Sequence, residues 1–208
     1  MPNIFLQPSN TNATLKNSDD AILKEISIDQ YKDLMDRKDY ETLKRIYPDG
    51  IAKLRGITPG KNDSNVSKWK SIEPGDVVLF YRKGIYQISA VTTHTLRNQD
   101  LALEIWGIDN RQQTWEYMYF LAEVKNINLA KEELNRLVGY SEKNFPQGFI
   151  RISRCTEEAR LKILDELDLL SNVYYPEVDA DSLDKLRKFL DANEELDKEI
   201  LSKRLNFY

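Results

Sequence analysis

Cysteine and histidine are nearly absent: Cys155 and His94 are the only ones among 208 residues. One thiol excludes an internal disulfide and any cysteine-rich metal site, which suits a reducing cytoplasm. One histidine lacks the partners that histidine-based zinc sites and catalytic triads need, so His94 reads as a polar loop residue. No apolar run approaches the roughly 18 residues that cross a bilayer. Met1–Asn12 has no basic start followed by a long apolar core, so no secretory signal is expected. Internal repeats and low-complexity tracts are missing as well.

An excess of positive charge is also missing, the formal net charge being −4. The distribution is uneven: residues 51–160 carry 16 basic and 13 acidic groups, whereas 161–208 carry 7 and 12. The acidic total argues against indiscriminate DNA coating but allows a local basic surface. With 41% hydrophobic and 31% charged residues, the composition is globular. The length fits one ordinary domain, alone or with a helical appendage.

Catalytic signatures fail one by one. Gly56-Ile57-Thr58-Pro59-Gly60-Lys61-Asn62 is one residue short of a phosphate loop between its glycines, and Asn62 stands where a magnesium-binding Ser or Thr belongs. Glu132-Glu133, Glu157-Glu158 and Glu194-Glu195 fall within helix patterns and read as solvated faces. Asp76, after Gly75, reads as a turn residue. Neither an enzyme nor a cofactor is expected.

What is present centres on Trp69–Val124. Pro74-Gly75-Asp76 is turn chemistry, Asp76–Tyr81 is an apolar strand, and Arg82-Lys83-Gly84 turns it back into Ile85–Val91. Gln113–Val124 reads as a third strand with Trp115, Tyr117, Tyr119 and Leu121 on one face. Upstream, Asn3–Gln7 is a short strand ending in the polar turn Pro8–Asn12. Ser27–Gln30 has capping-box spacing before a helix over about 28–38, and a second short helix spans 40–46. Ile51–Gly56 leads into a loop over 57–65. Short helices are predicted at 101–105 and 129–138, and a last strand at 147–153. A helix starting at Thr156 turns Ile163, Leu164, Leu167 and Leu170 inward, and an acidic amphipathic helix covers Asp181–Arg204.

Three of these stretches, in order, resemble a known family. They are Trp69-x-x-Ile72-x-Pro74-Gly75-Asp76-x-Val78-Leu79-Phe80-Tyr81, Ala102-x-x-Ile105-Trp106-Gly107 and Thr114-Trp115-Glu116-Tyr117-x-Tyr119-Phe120-Leu121. Gly56–Lys61, Gly139-Tyr140 and Gln147-Gly148-Phe149-x-Arg151 fit the same pattern. Together, over roughly residues 3–155, they resemble the EVE domain of the PUA-like superfamily. The likeness is nearest to the N-terminal specificity domains of McrB-like modification-dependent restriction proteins.

The resemblance implies an α+β fold: a small, partly closed β-barrel flanked by helices, with a C-terminal helical extension or linker over 156–208. It implies a non-catalytic DNA-binding module that flips a modified, methylated base into an aromatic pocket at the barrel rim. Such a module targets a restriction system, with a AAA+ GTPase/ATPase motor domain and a separate nuclease subunit as further partners and no membrane. The pocket candidates are Ser9, Asn10, Gly56, Ile57, Thr58, Trp69, Tyr81 and Trp106. Lys53, Arg55, Lys61, Lys68, Lys70, Arg151 and Arg154 are candidates for the nucleic-acid backbone. Several relatives carry Trp where this chain has Arg55, which leaves the identity of the cage ring open.

Physical chemistry points the same way. A methyl group offers no strong hydrogen bond, so reading it takes an apolar or π surface and a shape filter. A duplex hides that group, so the base must leave the stack. Each candidate also has a structural reading. Trp115, Tyr119 and Phe80 alternate as barrel core, and Trp69 and Trp106 fit core or pocket alike. Ser9-Asn10 could cap a turn, and the lysines could be a solvated loop. A modified-RNA reader of the YTH type, or a protein-interaction module using the acidic C-terminal helix, are the alternatives.

Overall fold

Pro74-Gly75-Asp76 opens a hairpin where the sequence places one. In the computed structural model of the chain, β4 (Val77–Arg82) and β5 (Ile85–Arg97) pair antiparallel. Lys83 and Gly84 join them at φ 49° and 90°, the left-handed conformations that a tight hairpin turn requires. Asp76 is buried and accepts the N–H groups of Asn3 at 2.7 Å and Glu73 at 2.8 Å, so it is a turn anchor.

Residues 2–9 and 23–169 are described; Asn10, Leu170 and the acidic helix read at Asp181–Arg204 lie outside them. All described residues belong to the first of two compact units, Met1–Tyr174, the second being Tyr175–Tyr208. The architecture is α+β. Besides the hairpin, the sheet contains β1 (Ile4–Pro8), β2 (Lys24–Ser27), β3 (Ile51–Ile57), β6 (Tyr117–Ala130) and β7 (Ile150–Arg151). These seven strands run in the order β2-β3-β6-β5-β4-β1-β7. β1 is parallel to β4, and its other neighbour, β7, is antiparallel. Among the described residues no pairing joins β2 to β7, so the sheet is open at the level of hydrogen bonding.

It nevertheless curls. β6 and β1 are three strands apart in that order, about 14 Å in a flat sheet. Yet the Tyr119 hydroxyl of β6 donates to Gln7 Oε1 of β1 at 3.4 Å. Phe149 stacks on both Phe5 of β1 and Tyr119, with ring centroids 5.1 and 5.7 Å apart. Strand alternation then sorts the core. Phe5, Ile57, Val78, Phe80, Tyr117, Tyr119 and Leu121 fill the concave face. On the convex side, Ile4, Leu6, Leu79 and Tyr86 pack with α4 (Lys131–Leu137) and α5 (Glu157–Glu166). Leu54, Met118 and Phe120 pack there with α1 (Arg37–Ile46) and α3 (Gln99–Trp106).

Several elements differ from the sequence expectation. Ser27 ends β2 opposite Ile51, and residues 29–34 form a 3-10 helix with no side-chain cap. Asp36 is extended and caps α1 by accepting the Asp39 N–H at 2.7 Å, so the expected helix over 28–38 is interrupted there. Ile51–Ile57, expected to lead into a loop, is a strand paired on both sides, with β2 and with β6. β6 starts at Tyr117, because Asp109 Oδ1 accepts the N–H groups of Arg111 and Gln113 and prolongs the preceding turn. It runs on to Ala130, which delays the next helix to Lys131. The predicted strand over 147–153 shortens to Ile150–Arg151. α5 starts from a Thr156 cap as predicted, and Ile163 and Leu164 enter the same core as Ile4 and Leu6.

Candidate nucleic-acid interface

β3 sets up this region by alternation. Ala52 and Leu54 face the convex core, so Lys53, Arg55 and Ile57 project from the other side. In the ladder Arg55 stands opposite Tyr119, Gly56 opposite Met118 and Ile57 opposite Tyr117. Gly56 has no space for a side chain. A Cβ there would lie 2.5 Å from both Cβ and the carbonyl oxygen of Trp115 and 2.9 Å from Cζ3 of Trp106.

The two candidate tryptophans flank this strand end from opposite faces. Trp69 closes the single helical turn α2 (Val66–Trp69) and is half-buried over the concave core. Its Nε1–H donates to the Met118 carbonyl at 2.9 Å, and its ring meets Tyr117 edge-on at 5.2 Å. Trp106 ends α3 and packs half-buried against the convex core. The intervening segment is pinned, since Asn65 donates through Nδ2 to the Thr58 carbonyl at 3.1 Å and through its backbone N–H to Pro59. Gly56, Ile57 and Thr58 therefore lie between Trp69 on one face and Trp106 on the other.

Ser9 and Tyr81 form a separate pair. Both the N–H and the hydroxyl of Ser9 donate to the Tyr81 carbonyl, at 2.8 and 3.1 Å, and Ser9 is buried. The Tyr81 ring lies with the convex core, tilted against Tyr86 at 5.3 Å. Tyr81 pairs with Tyr86 near the start of β5, whereas Ile57 aligns through Tyr117 with Arg97 at its end. Along β5 the two groups stand at opposite ends, and only the curl at Gln7 links them. Asn10 lies outside the described residues.

Among the basic candidates, Lys53, Lys61 and Lys70 are exposed and Lys68 is half-buried. The last three surround Trp69 in sequence. Arg151 and Arg154 are exposed on and just beyond the edge strand β7. Arg55 differs from all of them. It is half-buried, its Nε is fully buried, and burial pulls its guanidinium below the ordinary arginine range while Tyr119 opposes that shift. Burial likewise pushes the Tyr119 phenol up, so it stays protonated at neutral pH.

Sequence reasoning missed three contributors. Gln7 and the Tyr119 hydroxyl form a polar pair inside an otherwise aromatic face. The signal was a lone polar residue closing the apolar run Ile4-Phe5-Leu6. Arg97 places its guanidinium 5.2 Å from the Tyr117 ring centre and pairs with Glu116 at 2.8 Å, beside the Trp69 edge contact. The concave interior is filled by Phe5, Phe80, Tyr119 and Phe149, each 2% exposed or less, with Phe80 and Tyr119 in the core as their alternation led one to expect. A surface cavity bounded by Tyr47, Ile51, Lys53 and Leu121 takes in Lys53 but none of the pocket candidates. Among the described residues no group of His, Cys, Asp and Glu side chains could hold a metal ion, and no helix is long and apolar enough to cross a membrane.

No family model matches the chain, and no curated protein matches it. Among solved structures, the chain is similar to the N-terminal domain of Thermococcus gammatolerans McrB bound to m5C DNA. The similarity has a TM-score of 0.49 and 15% sequence identity, over 80% of this chain and 97% of that one.

Proposed function

We propose that the chain is a non-catalytic module that recognises a modified base in DNA, with the sheet as an EVE-type member of the PUA-like folds. The observation that carries this reading is that Trp69 and Trp106 flank the Gly56 end of β3, one on each face, with Lys61, Lys68 and Lys70 on the segment around Trp69. Three separate stretches of the motif set thus contribute to one strand end. The half-buried Trp69 indole beside these lysines suits a stacked base and its phosphates.

Because the concave interior is already full, the flipped base docks at its mouth, against Trp69, and not deep within it. Extrusion costs a few kcal/mol, and stacking on an aromatic face returns about 1–3 kcal/mol. Phosphate contacts supply the remainder. In a restriction system such a module would direct a AAA+ motor domain and a nuclease subunit to modified sites.

The test is a panel of duplexes differing in one base modification at a time, with matched RNA strands beside them. Tighter binding to a modified duplex, lost in Trp69→Ala or Trp106→Ala, is the expected result. Equal affinity for modified and unmodified strands across the panel rejects the reading, and a preference for modified RNA redirects it to the RNA branch.

A further inference from the structure

Arg97 closes β5 at the ladder position of Tyr117. Residues directly opposite in an antiparallel pair share a face, so both side chains belong to the side that Trp69 covers. The footing of Arg97 is fixed. The next residue, Asn98, donates its N–H to the Glu116 carbonyl at 3.0 Å and caps α3 by accepting the Leu101 N–H at 2.9 Å. The side chain is held as well: its Nε–H donates to Glu116 Oε2 at 2.8 Å, and the guanidinium carbon stands 5.2 Å from the Tyr117 ring centre. The Glu116 side chain is 13% exposed and that of Arg97 62%, so the carboxylate is the anchor and the guanidinium projects. Nε is the one nitrogen of this fork with a hydrogen-bond partner among the described residues. That leaves the Nη1–Nη2 edge, two parallel N–H donors of the kind that grips an oxyanion.

Tyr117 decides what that edge can meet. The Trp69 indole approaches the same phenol ring edge-on at 5.2 Å, so indole and guanidinium are one ring apart. A nucleotide whose base stacks on Trp69 brings its own phosphates within reach of Arg97. From this geometry, and resting on the reader assignment above, we propose that Arg97 clamps a phosphate of the extruded nucleotide and so favours modified DNA without touching the base. The effect is differential. A phosphate arrives at the free edge only when its nucleotide has left the stack, so these bonds exist in the flipped complex and not on an intact duplex. An unmodified base, which Trp69 does not retain, forgoes them. Lys61, Lys68 and Lys70 are point charges on flexible stems and attract the backbone in either state.

Fluorescence anisotropy of the full chain tests this on one duplex sequence whose central base is cytosine, 5-methylcytosine, 5-hydroxymethylcytosine, adenine or N6-methyladenine. The modified duplex that binds most tightly is carried forward. Arg97→Ala should weaken it roughly tenfold or more and flatten its slope of log affinity against log salt by about 0.9. The unmodified duplex should be nearly unaffected. A methylphosphonate, which is a neutral phosphate substitute, is then placed singly on either side of the modified nucleotide. At one of these positions it should weaken the parent chain roughly tenfold and Arg97→Ala hardly at all, the non-additivity that marks a direct contact. Equal losses in both proteins at both positions reduce Arg97 and Glu116 to a surface ion pair and overturn the proposal. A variant that weakens modified and unmodified duplexes alike does the same, and either result leaves the reader assignment standing. Identical affinity of the parent chain for modified and unmodified duplexes overturns both. Should thermal unfolding show that Arg97→Ala does not fold, the parent chain still decides, because the clamp fails if neither methylphosphonate lowers its affinity.

Discussion

Replacing a single hydrogen at Gly56 tests the packing directly. The nearest atoms to a new methyl group include a backbone oxygen and a Cβ, which cannot swing aside as a flexible side-chain end would. Gly56→Ala is therefore expected to cost about 1–3 kcal/mol, measured as a lower urea midpoint at unchanged slope, and, under the proposed function, to weaken DNA binding as Trp106 and Trp115 shift. The glycine was legible in the sequence as part of the motif, but its reason was not. Other residues were legible only in part. Ser9 and Tyr81 were both singled out, and the chain does join them, yet through a backbone carbonyl and not across a ligand. That outcome depends on the parallel β1–β4 ladder between segments 72 residues apart, for which no local signal exists. The charge of Arg55 was visible in the sequence, whereas its half-buried place at the ladder position of Tyr119 depends on a strand that had not been identified.

At the scale of elements, the ring of Phe149 acts as a wedge between Phe5 and Tyr119 and closes the curl. β7 contributes only two paired residues, so this stack is a main hold on the segment that follows Gly139. Phe149→Ala should lose about 3–5 kcal/mol, read by chemical denaturation. Limited proteolysis should then cut between Gly139 and Phe149 at a protease concentration that spares the parent chain. The β4–β5 hairpin was readable because its turn residues and its apolar run agree. β3 was not, since Lys53 and Arg55 break its apolar character even though Ala52, Leu54 and Gly56 alternate with them. The β6 start was placed too early because Trp115 continues the aromatic alternation, while Asp109 holds the backbone in a turn up to Gln113.

For the whole molecule, the acidic net charge of −4 sets an expectation about salt. With Lys61, Lys68 and Lys70 as the phosphate contacts, each should contribute about −0.9 to the slope of log affinity against log salt. Changing all three to alanine should flatten that slope by up to roughly 3 while leaving the order of preference among modified bases intact, since phosphates position and bases specify. A slope unchanged by the triple substitution would move the phosphate path elsewhere, with Arg151 on β7 and Arg154 just beyond it the next to change.

The place of β1 between two strands that come later in the chain has a consequence for how the molecule is made. Its two neighbours are supplied by residues 77–82 and 150–151, so during synthesis this early segment leaves the ribosome long before either rail of its berth exists. It must wait, apolar and unpaired, for later translation to catch up, a delay of the kind that makes nascent chains depend on holding factors.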